Sequence, residues 1–160
     1  ATLDACDVTF DLAAFADATV TVAEPGNPYR PLNRFTDLLS ETDSLRGFDT
    51  TSVAPAYVEE IYERIIEQMP VEIVYETAVI EHLATAYDDL VTEAFTQENL
   101  VVSVHDDLPF GLALFDDRVG VGGYDDVTGI LQVFVDTDDP DAVEWGEQLF
   151  EQFREEATAL

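Results

Sequence analysis

Short runs of β-branched residues alternate with amphipathic helical patterns through the middle of the chain, and this alternation constrains the fold most. The run VEIVY (71–75) is followed by an apolar stripe at helical spacing, from Thr77 to about Glu98. The next run, LVVSVH (100–105), lacks strict alternation, which predicts a strand buried on both faces, as in a parallel sheet. The segment is therefore predicted to form a strand, a long helix and a second, parallel strand.

The same order precedes this unit. The run ATVTVA (18–23) has the β-branched alternation of a short strand, and the stretch 31–40 has the apolar spacing of a short helix. A second strand is predicted over 45–53, and Pro55 begins a helix that ends before Pro70. The order β-α-β-α-β predicts that the first strands of the sheet are parallel.

Three further strand patterns follow: FGLALF (110–115), VGVGGY (119–124) and GILQVFV (129–135). Polar connections as short as Asp-Asp-Arg separate them, and such connections join antiparallel neighbours. Asp139 can cap a final helix over 139–157. The predicted fold class is α/β. It is a single mixed β-sheet with a parallel β-α-β-α-β start and an antiparallel meander near the C-terminus, packed by helices, with a C-terminal helix.

The stretch FDDRVGVGGYDD (115–126) has three interpretations: a phosphate-binding loop, a calcium site or a β-hairpin. A phosphate loop precedes a helix, but here another strand pattern follows, and the stretch has neither GxGxxG spacing nor a Lys. The two Asp pairs stand at opposite ends of a strand, roughly 30 Å apart at about 3.3 Å per residue, too far to share one ion. The hairpin is favoured, with Gly120, Gly122 and Gly123 marking a bulge or a close approach to the backbone.

The charge of the chain limits its environment and its partners. There are 35 Asp and Glu residues against 6 basic residues, all Arg, for a formal net charge of -29. Such self-repulsion opposes a compact state in ordinary salt and is screened at molar salt, where the Debye length is about 3 Å. We therefore expect a halophilic protein of a high-salt cytoplasm. We expect no direct contact of this chain with nucleic acid or an anionic membrane, because Lys and Arg clusters bind both.

The sequence contains no catalytic set, no metal-ligand set and no cofactor motif. Cys6 is the single Cys, so it has no partner for an internal disulfide or a metal site, and no GxSxG occurs. Trp145 on the final helix is interpreted as a core or subunit-interface residue. No apolar run approaches the roughly 20 residues needed to cross a bilayer. The 160 residues suit one domain over 1–160.

A ligand pocket is predicted at one edge of the sheet, because ligands of open α/β sheets gather beyond the carboxyl ends of the parallel strands. The pocket would be polar with aromatic walls. The candidate ligand-binding residues are Phe48, Tyr75, Glu76, His105 and Tyr124.

Two other interpretations of His105 stay open. It can be a strand-end residue satisfied by a backbone carbonyl. It can also form an acid–base pair with Asp106 or Glu76 in a small stand-alone enzyme, because histidine titrates near neutral pH. His82, in the long helical pattern, is interpreted as a surface or boundary residue.

Three blocks of the sequence resemble a known family. They are DATVTVAEPGNPYRPLNRFTDLL (17–39), VEIVYETAVIEHL (71–83) and DLPFGLALFDDRVGVGGYDDVTGILQVFVDTDDPDAVEWGEQLFEQFREEA (107–157). Together they are similar to the C-terminal regulatory domain of archaeal winged-helix transcription factors, the methanogenesis-regulator family numerous in haloarchaea, and more distantly to TrmB-like regulators. The ordered combination, which spans nearly the whole chain, carries the likeness.

The resemblance implies a sensor and dimerisation domain with a fold like one half of a phospholipase-D-like protein. It implies a homodimer, a small-molecule effector, and DNA binding by a winged helix-turn-helix that this chain lacks, with residues 1–17 as a linker from it. Enzymes of that broader group need a His-x-Lys pair for phosphoryl transfer, and this chain has no Lys. We therefore expect a non-enzyme. A purely structural dimerisation module is a further alternative.

Overall fold

One eight-stranded sheet organises the part of the chain that the structure describes. The computed structural model describes residues 15–50, 55–125 and 130–159, and at positions 55–58, 88 and 90 the backbone alone. The strands are β1 (Thr19–Val22), β2 (Leu45–Asp49), β3 (Val71–Tyr75), β4 (Leu100–Val104), β5 (Gly111–Leu114), β6 (Val119–Tyr124), β7 (Leu131–Thr137) and β8 (Thr158–Ala159). The helices are α1 (Arg30–Glu41), α2 (Pro55–Ile66), α3 (Thr77–Ala86), α4 (Asp88–Phe95) and α5 (Pro140–Glu156).

The strand order is β1-β7-β6-β5-β2-β3-β4-β8, and it confirms the predicted fold class. Strands β2, β3 and β4 are parallel, and β5, β6 and β7 form an antiparallel meander that joins β2 through β5. The prediction that the first strand is also parallel is wrong, because β1 pairs antiparallel with β7. The meander lies between β1 and β2, so β1 pairs with the outer strand of the meander, β7. Strand β7 runs antiparallel to β1.

Helices cover the two faces of the sheet unequally. The larger apolar cluster combines buried residues of α1 to α4, such as Phe35, Ile61 and Leu83, with one face of the strands. The smaller cluster places α5 alone on the other face, where Phe150 and Phe153 pack on β2, β5 and β6. We call these the four-helix face and the α5 face. The predicted cap of α5 is confirmed, since the Asp139 carboxylate accepts the Asp141 backbone N–H at 2.9 Å.

Two predicted element boundaries are wrong. The single helix predicted over 77–98 is broken at Tyr87, whose φ of -132° and ψ of 40° end α3, and α4 ends at Phe95. Acidic residues at the start of α4 favour a new helix N-terminus there, because negative charges interact favourably with the positive end of the helix dipole. Strand β2 ends at Asp49, and most of the rest of its predicted span, 51–53, lies outside the described residues.

The prediction that LVVSVH is buried on both faces is wrong for the start of β4. Val101 is 50% exposed. The strand β8 pairs only with Ser103 and Val104, so it leaves the earlier part of β4 open. The expected linker over 1–17 lies mostly outside the described residues.

The hairpin interpretation of FDDRVGVGGYDD is confirmed, with β5 and β6 as its paired strands. Both expected roles of the glycines are present. The register shifts between Gly123 and Tyr124, which is a β-bulge. A Cβ placed on Gly120 would lie 2.2 Å from the ring of Phe134 on β7, so the ring occupies the space that a side chain would take.

Candidate functional site

A buried carboxylate ends the central strand β2 on the four-helix face. Asp49 is 6% exposed. Its Oδ1 accepts the Tyr124 hydroxyl at 2.6 Å and the Thr50 backbone N–H at 2.9 Å. Burial raises the pKa of Tyr124 well above its usual value, and the nearby Asp49 charge adds to this. Tyr124 therefore stays protonated at physiological pH and acts as a hydrogen-bond donor to a buried anion.

Two more tyrosines extend this polar group into the core. Tyr75 ends β3 directly beside Asp49 in the parallel register. The buried hydroxyl of Tyr62, from α2, faces Tyr75 without meeting hydrogen-bond geometry. Burial raises the pKa of Tyr62 to about 12, and Tyr75 offsets part of that rise. Asp49, Tyr124, Tyr75 and Tyr62 form what we call the tyrosine–carboxylate cluster.

Two small cavities adjoin this cluster. One of about 30 Å³ is lined by Asp49, Tyr124 and Gly111 together with Phe35 and Phe134. The other, of about 20 Å³, shares Phe35 and Asp49 with the first. A water molecule needs about 10–15 Å³ on this measure, so each cavity has room for one or two waters. The polar groups of the site are already in place. A ligand larger than one or two waters would require the cavity walls to move apart.

His105 belongs to a second group of residues, beyond β4. Its Nδ1 accepts the Asp107 backbone N–H at 3.0 Å, and its Nε2 lies 3.5 Å from Oε1 of Glu156. The ring packs against Phe153 with centroids 5.2 Å apart. Phe48 meets the same Phe153 ring at 5.1 Å. His105 is thus held by protein groups on the α5 face.

Acidic residues beside His105 stabilise the start of α3. Asp106 accepts the Thr77 backbone N–H at 2.7 Å and its hydroxyl at 3.0 Å, and these bonds lower the pKa of Asp106. Burial raises the pKa of Glu76, and the backbone N–H of Leu108 opposes that rise. These carboxylates cap a helix end and a loop.

The structure divides the five predicted site residues between the two faces of the sheet. Tyr75 and Tyr124 come together with Asp49 on the four-helix face. Phe48 lies on the α5 face with His105 near Phe153. Glu76 directly follows β3, at the same edge of the sheet as His105. Ligand binding by any of these residues stays a prediction.

Sequence reasoning missed Asp49. The predicted strand continued to residue 53, which placed Asp49 inside the strand and not at its carboxyl end. An acidic residue directly after Phe48 in the predicted strand was the available signal, because Asp is depleted in strands and seldom buried.

Every basic side chain of the protein is engaged within the fold. Arg34 and Arg118 bind Asp136, and Arg64 donates to the carbonyls of Leu39, Ser40 and Thr42 at the end of α1. The other three Arg form exposed ion pairs: Arg30 with Glu24, Arg46 with Glu147, and Arg154 with both Glu72 and Glu151. The six Arg are therefore committed to protein carboxylates and carbonyls.

Among the described residues, no group of three or more His, Cys, Asp or Glu side chains is arranged to hold a metal ion. None of the helices described is long and apolar enough to cross a membrane.

Residues 28–156 match the family model described as "Methanogenesis regulatory protein FilR1, middle domain". The chain belongs to this FilR1 middle-domain family. The name describes the middle domain of a methanogenesis regulatory protein, in agreement with the methanogenesis-regulator resemblance of the sequence. A search of curated proteins finds no match.

Solved structures share the fold of this FilR1 middle domain at low sequence identity. TrmBL2, described as an archaeal chromatin protein with a novel mode of DNA binding, matches with a TM-score of 0.67 and 15% identity over 89% of this chain. The match covers 54% of TrmBL2, so the chain spans about half of that protein.

Two further proteins have the same fold over nearly their whole length. NucT from Helicobacter pylori matches with a TM-score of 0.67 and 15% identity, over 89% of this chain and 98% of NucT. Nuc from Salmonella typhimurium, a phospholipase D family member, matches with a TM-score of 0.68 and 12% identity, over 89% and 98%. The phospholipase-D-like fold that the family resemblance implies is confirmed.

Proposed function

We propose that this chain is the sensor and dimerisation domain of an archaeal transcriptional regulator in a high-salt cytoplasm. It binds a small metabolite and couples binding to DNA recognition by a winged helix-turn-helix elsewhere in the regulator. The family match over 28–156 carries the regulatory part of this proposal. Coupling requires that the effector prefer one arrangement of the dimer, since only a difference in affinity shifts an equilibrium.

The tyrosine–carboxylate cluster supports the sensor part. A buried carboxylate at the end of a central strand, with a protonated tyrosine and aromatic walls beside it, offers few but directed polar contacts in an apolar setting. Such a site selects ligands by hydrogen bonding, because a poor match leaves buried polar groups unpaired. His105 is the less favourable centre, since protein groups already contact both of its ring nitrogens.

The charge distribution supports the view that this domain does not itself contact DNA. The net charge is -29, and all six Arg are bound to groups of the protein. Phosphate contacts would have to displace these internal partners and overcome a repulsive surface. DNA recognition is accordingly proposed for another part of the regulator.

Thermal unfolding in molar KCl against a metabolite panel tests the sensor proposal. A ligand at about 100 times its dissociation constant adds about 2.7 kcal/mol to the free energy of unfolding, a clear rise in melting temperature. The rise should shrink in Tyr124→Phe and Asp49→Asn, and persist in Tyr29→Phe, which alters an exposed ring. If no compound raises the melting temperature, only the dimerisation role is left.

The phospholipase D neighbours favour one alternative, a phosphodiesterase or other small hydrolase. The chain has no Lys, so it lacks the His-x-Lys pair. An enzyme here would have to use His105 with Glu76 or Asp106. A nuclease and phosphatase screen of the wild type, with His105→Ala as control, decides the matter: turnover that His105→Ala abolishes would replace the regulatory proposal.

A further inference from the structure

The outer edge of β1 is open and uncharged. Strand β1 is the last strand of the sheet on its side, and within the described residues no further strand follows it. Exposed edge strands usually carry charges, prolines or bulges that prevent pairing with another chain. Here the strand is TVTV, in a chain with 35 acidic residues. Strand β1 carries no charge, proline or bulge, and its shortness, four residues, is the one feature of this kind that limits pairing.

The α5 face beside this edge is apolar and only partly covered. Val20 is 56% exposed and Val22 is 43% exposed. Their direct neighbours on β7 are Val135 and Val133, so four valines form one stripe at the edge of the sheet. We call it the valine stripe. The chain has 35 acidic residues, so two copies, each with a net charge of -29, can approach most closely at an uncharged stripe.

The hydrogen-bond pattern of β1 shows which residues can pair outward. The backbone N–H of Ala23 donates to Gln132 on β7 at 2.8 Å. Because antiparallel residues alternate in direction, Thr21 and Thr19 also face β7, and Val20 and Val22 direct their N–H and C=O groups outward. The free edge therefore offers the backbone groups of Val20 and Val22.

We propose that a second copy of this chain occupies this edge, with the two β1 strands antiparallel about a two-fold axis at Thr21. In that register Val20 and the partner's Val22 exchange backbone hydrogen bonds, and the symmetry repeats the pair. The sheet then runs through both copies, and the two valine stripes join on the same face. The inference rests on the dimerisation part of the proposed function and names its interface.

Two conditions select this register: paired residues must lie on the same face of the sheet, and the valines must not lie opposite a charged residue. Residues opposite each other across a continuous sheet must share a face, so the pairing centres on a residue and not on a peptide bond. A centre at Val22 would place Glu24 against Val20, and a centre at Val20 would pair Val22 with Ala18. Only the centre at Thr21 aligns both valines with valines.

The same register predicts a salt dependence. At each end of the paired strands Asp17 of one copy comes near Glu24 of the other, and each copy carries a net charge of -29. Their repulsion is long-ranged at about 0.1 M salt, with a Debye length of about 10 Å, and short-ranged at about 1 M, with about 3 Å. Four residues per strand form a small interface, so the dimer should be reversible and should strengthen as KCl rises.

Sedimentation of the 160-residue chain over a concentration series at both salt levels is the first experiment. Val20→Asp and Val22→Asp should each raise the dissociation constant of the dimer at least tenfold. Val101→Asp is the matched control, because it alters an equally exposed strand valine at the far side of the sheet. It should leave the dissociation constant unchanged. Circular dichroism and thermal melts check that all three variants stay folded.

Cross-linking tests the register. In a Cys6→Ser background, Val20→Cys combined with Val22→Cys should form dimers under mild oxidation, because hydrogen-bonded antiparallel partners have Cα atoms about 5.5 Å apart, within disulfide range. Cys6→Ser with Val101→Cys should not.

Three results overturn the proposal. A dimer that survives Val20→Asp and Val22→Asp, or one lost in Val101→Asp, has its interface elsewhere. A dimer without the Val20–Val22 cross-link has its β1 edge covered by another segment or another protein. A chain that is monomeric at every concentration removes both this interface and the dimerisation role, while the metabolite melts still decide the sensor role separately.

Discussion

Arg34 on α1 binds both carboxylate oxygens of Asp136 on β7, at 3.0 Å from Nε to Oδ2 and 2.9 Å from Nη2 to Oδ1. Asp136 is fully buried, and Arg118 reaches the same carboxylate at 2.7 Å. Hydrogen bonding to Asp136 raises the pKa of Arg34. Two guanidinium groups thus compensate one buried charge and fix α1 against the strand that carries β1.

Arg34→Met should lower the free energy of unfolding by about 2–3 kcal/mol. Breaking a buried ion pair typically costs 3–5 kcal/mol, and Arg118 retains part of the compensation here. Denaturant unfolding in molar KCl measures the change. Arg30→Met, on the same helix, removes the exposed pair with Glu24 and should cost at most about 0.5 kcal/mol. Equal effects of the two substitutions would show that Asp136 does not depend on Arg34.

Tyr62→Phe should flatten the loss of stability at alkaline pH. The pKa of Tyr62 is about 12 in the folded protein and about 10 in the unfolded chain. Between these values the unfolded chain has released a proton that the folded chain keeps. The contribution is therefore fully present below pH 10 and disappears as pH rises, by at most about 2.7 kcal/mol near pH 12.

Unfolding free energies of wild type and Tyr62→Phe at neutral pH, pH 10 and pH 12 test this. The difference between them should grow in favour of the variant above pH 10. At neutral pH the variant should be as stable as the wild type or more so, because the lost hydroxyl makes no well-formed hydrogen bond. Parallel curves across the whole range would contradict the alkaline prediction. Tyr29→Phe, on an exposed ring, should superimpose on the wild type.

Gly120→Ala should destabilise the protein by about 1–3 kcal/mol, since the new methyl group would overlap the Phe134 ring, 2.2 Å from its Cζ. Gly26→Ala is the matched control, because a Cβ there meets no atom within 4 Å. Combining Gly120→Ala with Phe134→Leu provides the space, so the double variant should be more stable than the sum of the single effects predicts. Strict additivity in this double-mutant cycle would mean that the two residues do not compete for space.

Tyr124→Phe should cost about 1.5–3 kcal/mol at neutral pH. It removes a hydrogen bond of 2.6 Å to the buried Asp49 carboxylate, and bonds to charged groups are worth about that much. Denaturant unfolding measures the loss, with Tyr29→Phe as reference. An unchanged free energy of unfolding would indicate that Asp49 is satisfied without Tyr124.

The elements of the fold could be predicted because each has a local cause. Periods of two and 3.6, Pro55 and Pro70 at helix boundaries, and the Asp139 cap all act within a few residues. The partner of β1 could not be predicted in this way. The TVTV pattern is the same whether the neighbouring strand is parallel or antiparallel. The meander between β1 and β2 makes β7 the strand with which β1 pairs.

The candidate site depended on register, which sequence spacing does not reveal. Phe48 aligns with Val74, and Asp49 aligns with Tyr75. Side chains alternate between faces, so this one-residue offset sends Phe48 to the α5 face and Tyr75 to the four-helix face. The sheet edge was predictable from the parallel strands, whereas the grouping of Tyr124 with Asp49, 75 positions apart, required the tertiary structure.

The strand order also determines when β1 can pair during synthesis of the chain. Thr19 pairs with Asp136, so the first strand has no neighbour until most of the chain has been made. At about 5–20 residues per second, the ribosome needs roughly 6 to 20 seconds to cover that gap. Throughout that delay the uncharged strand β1 lacks the neighbour with which it pairs in the folded sheet. We therefore expect the net charge of -29 to have a second role, because mutual repulsion keeps partly synthesised chains apart until β7 pairs with β1.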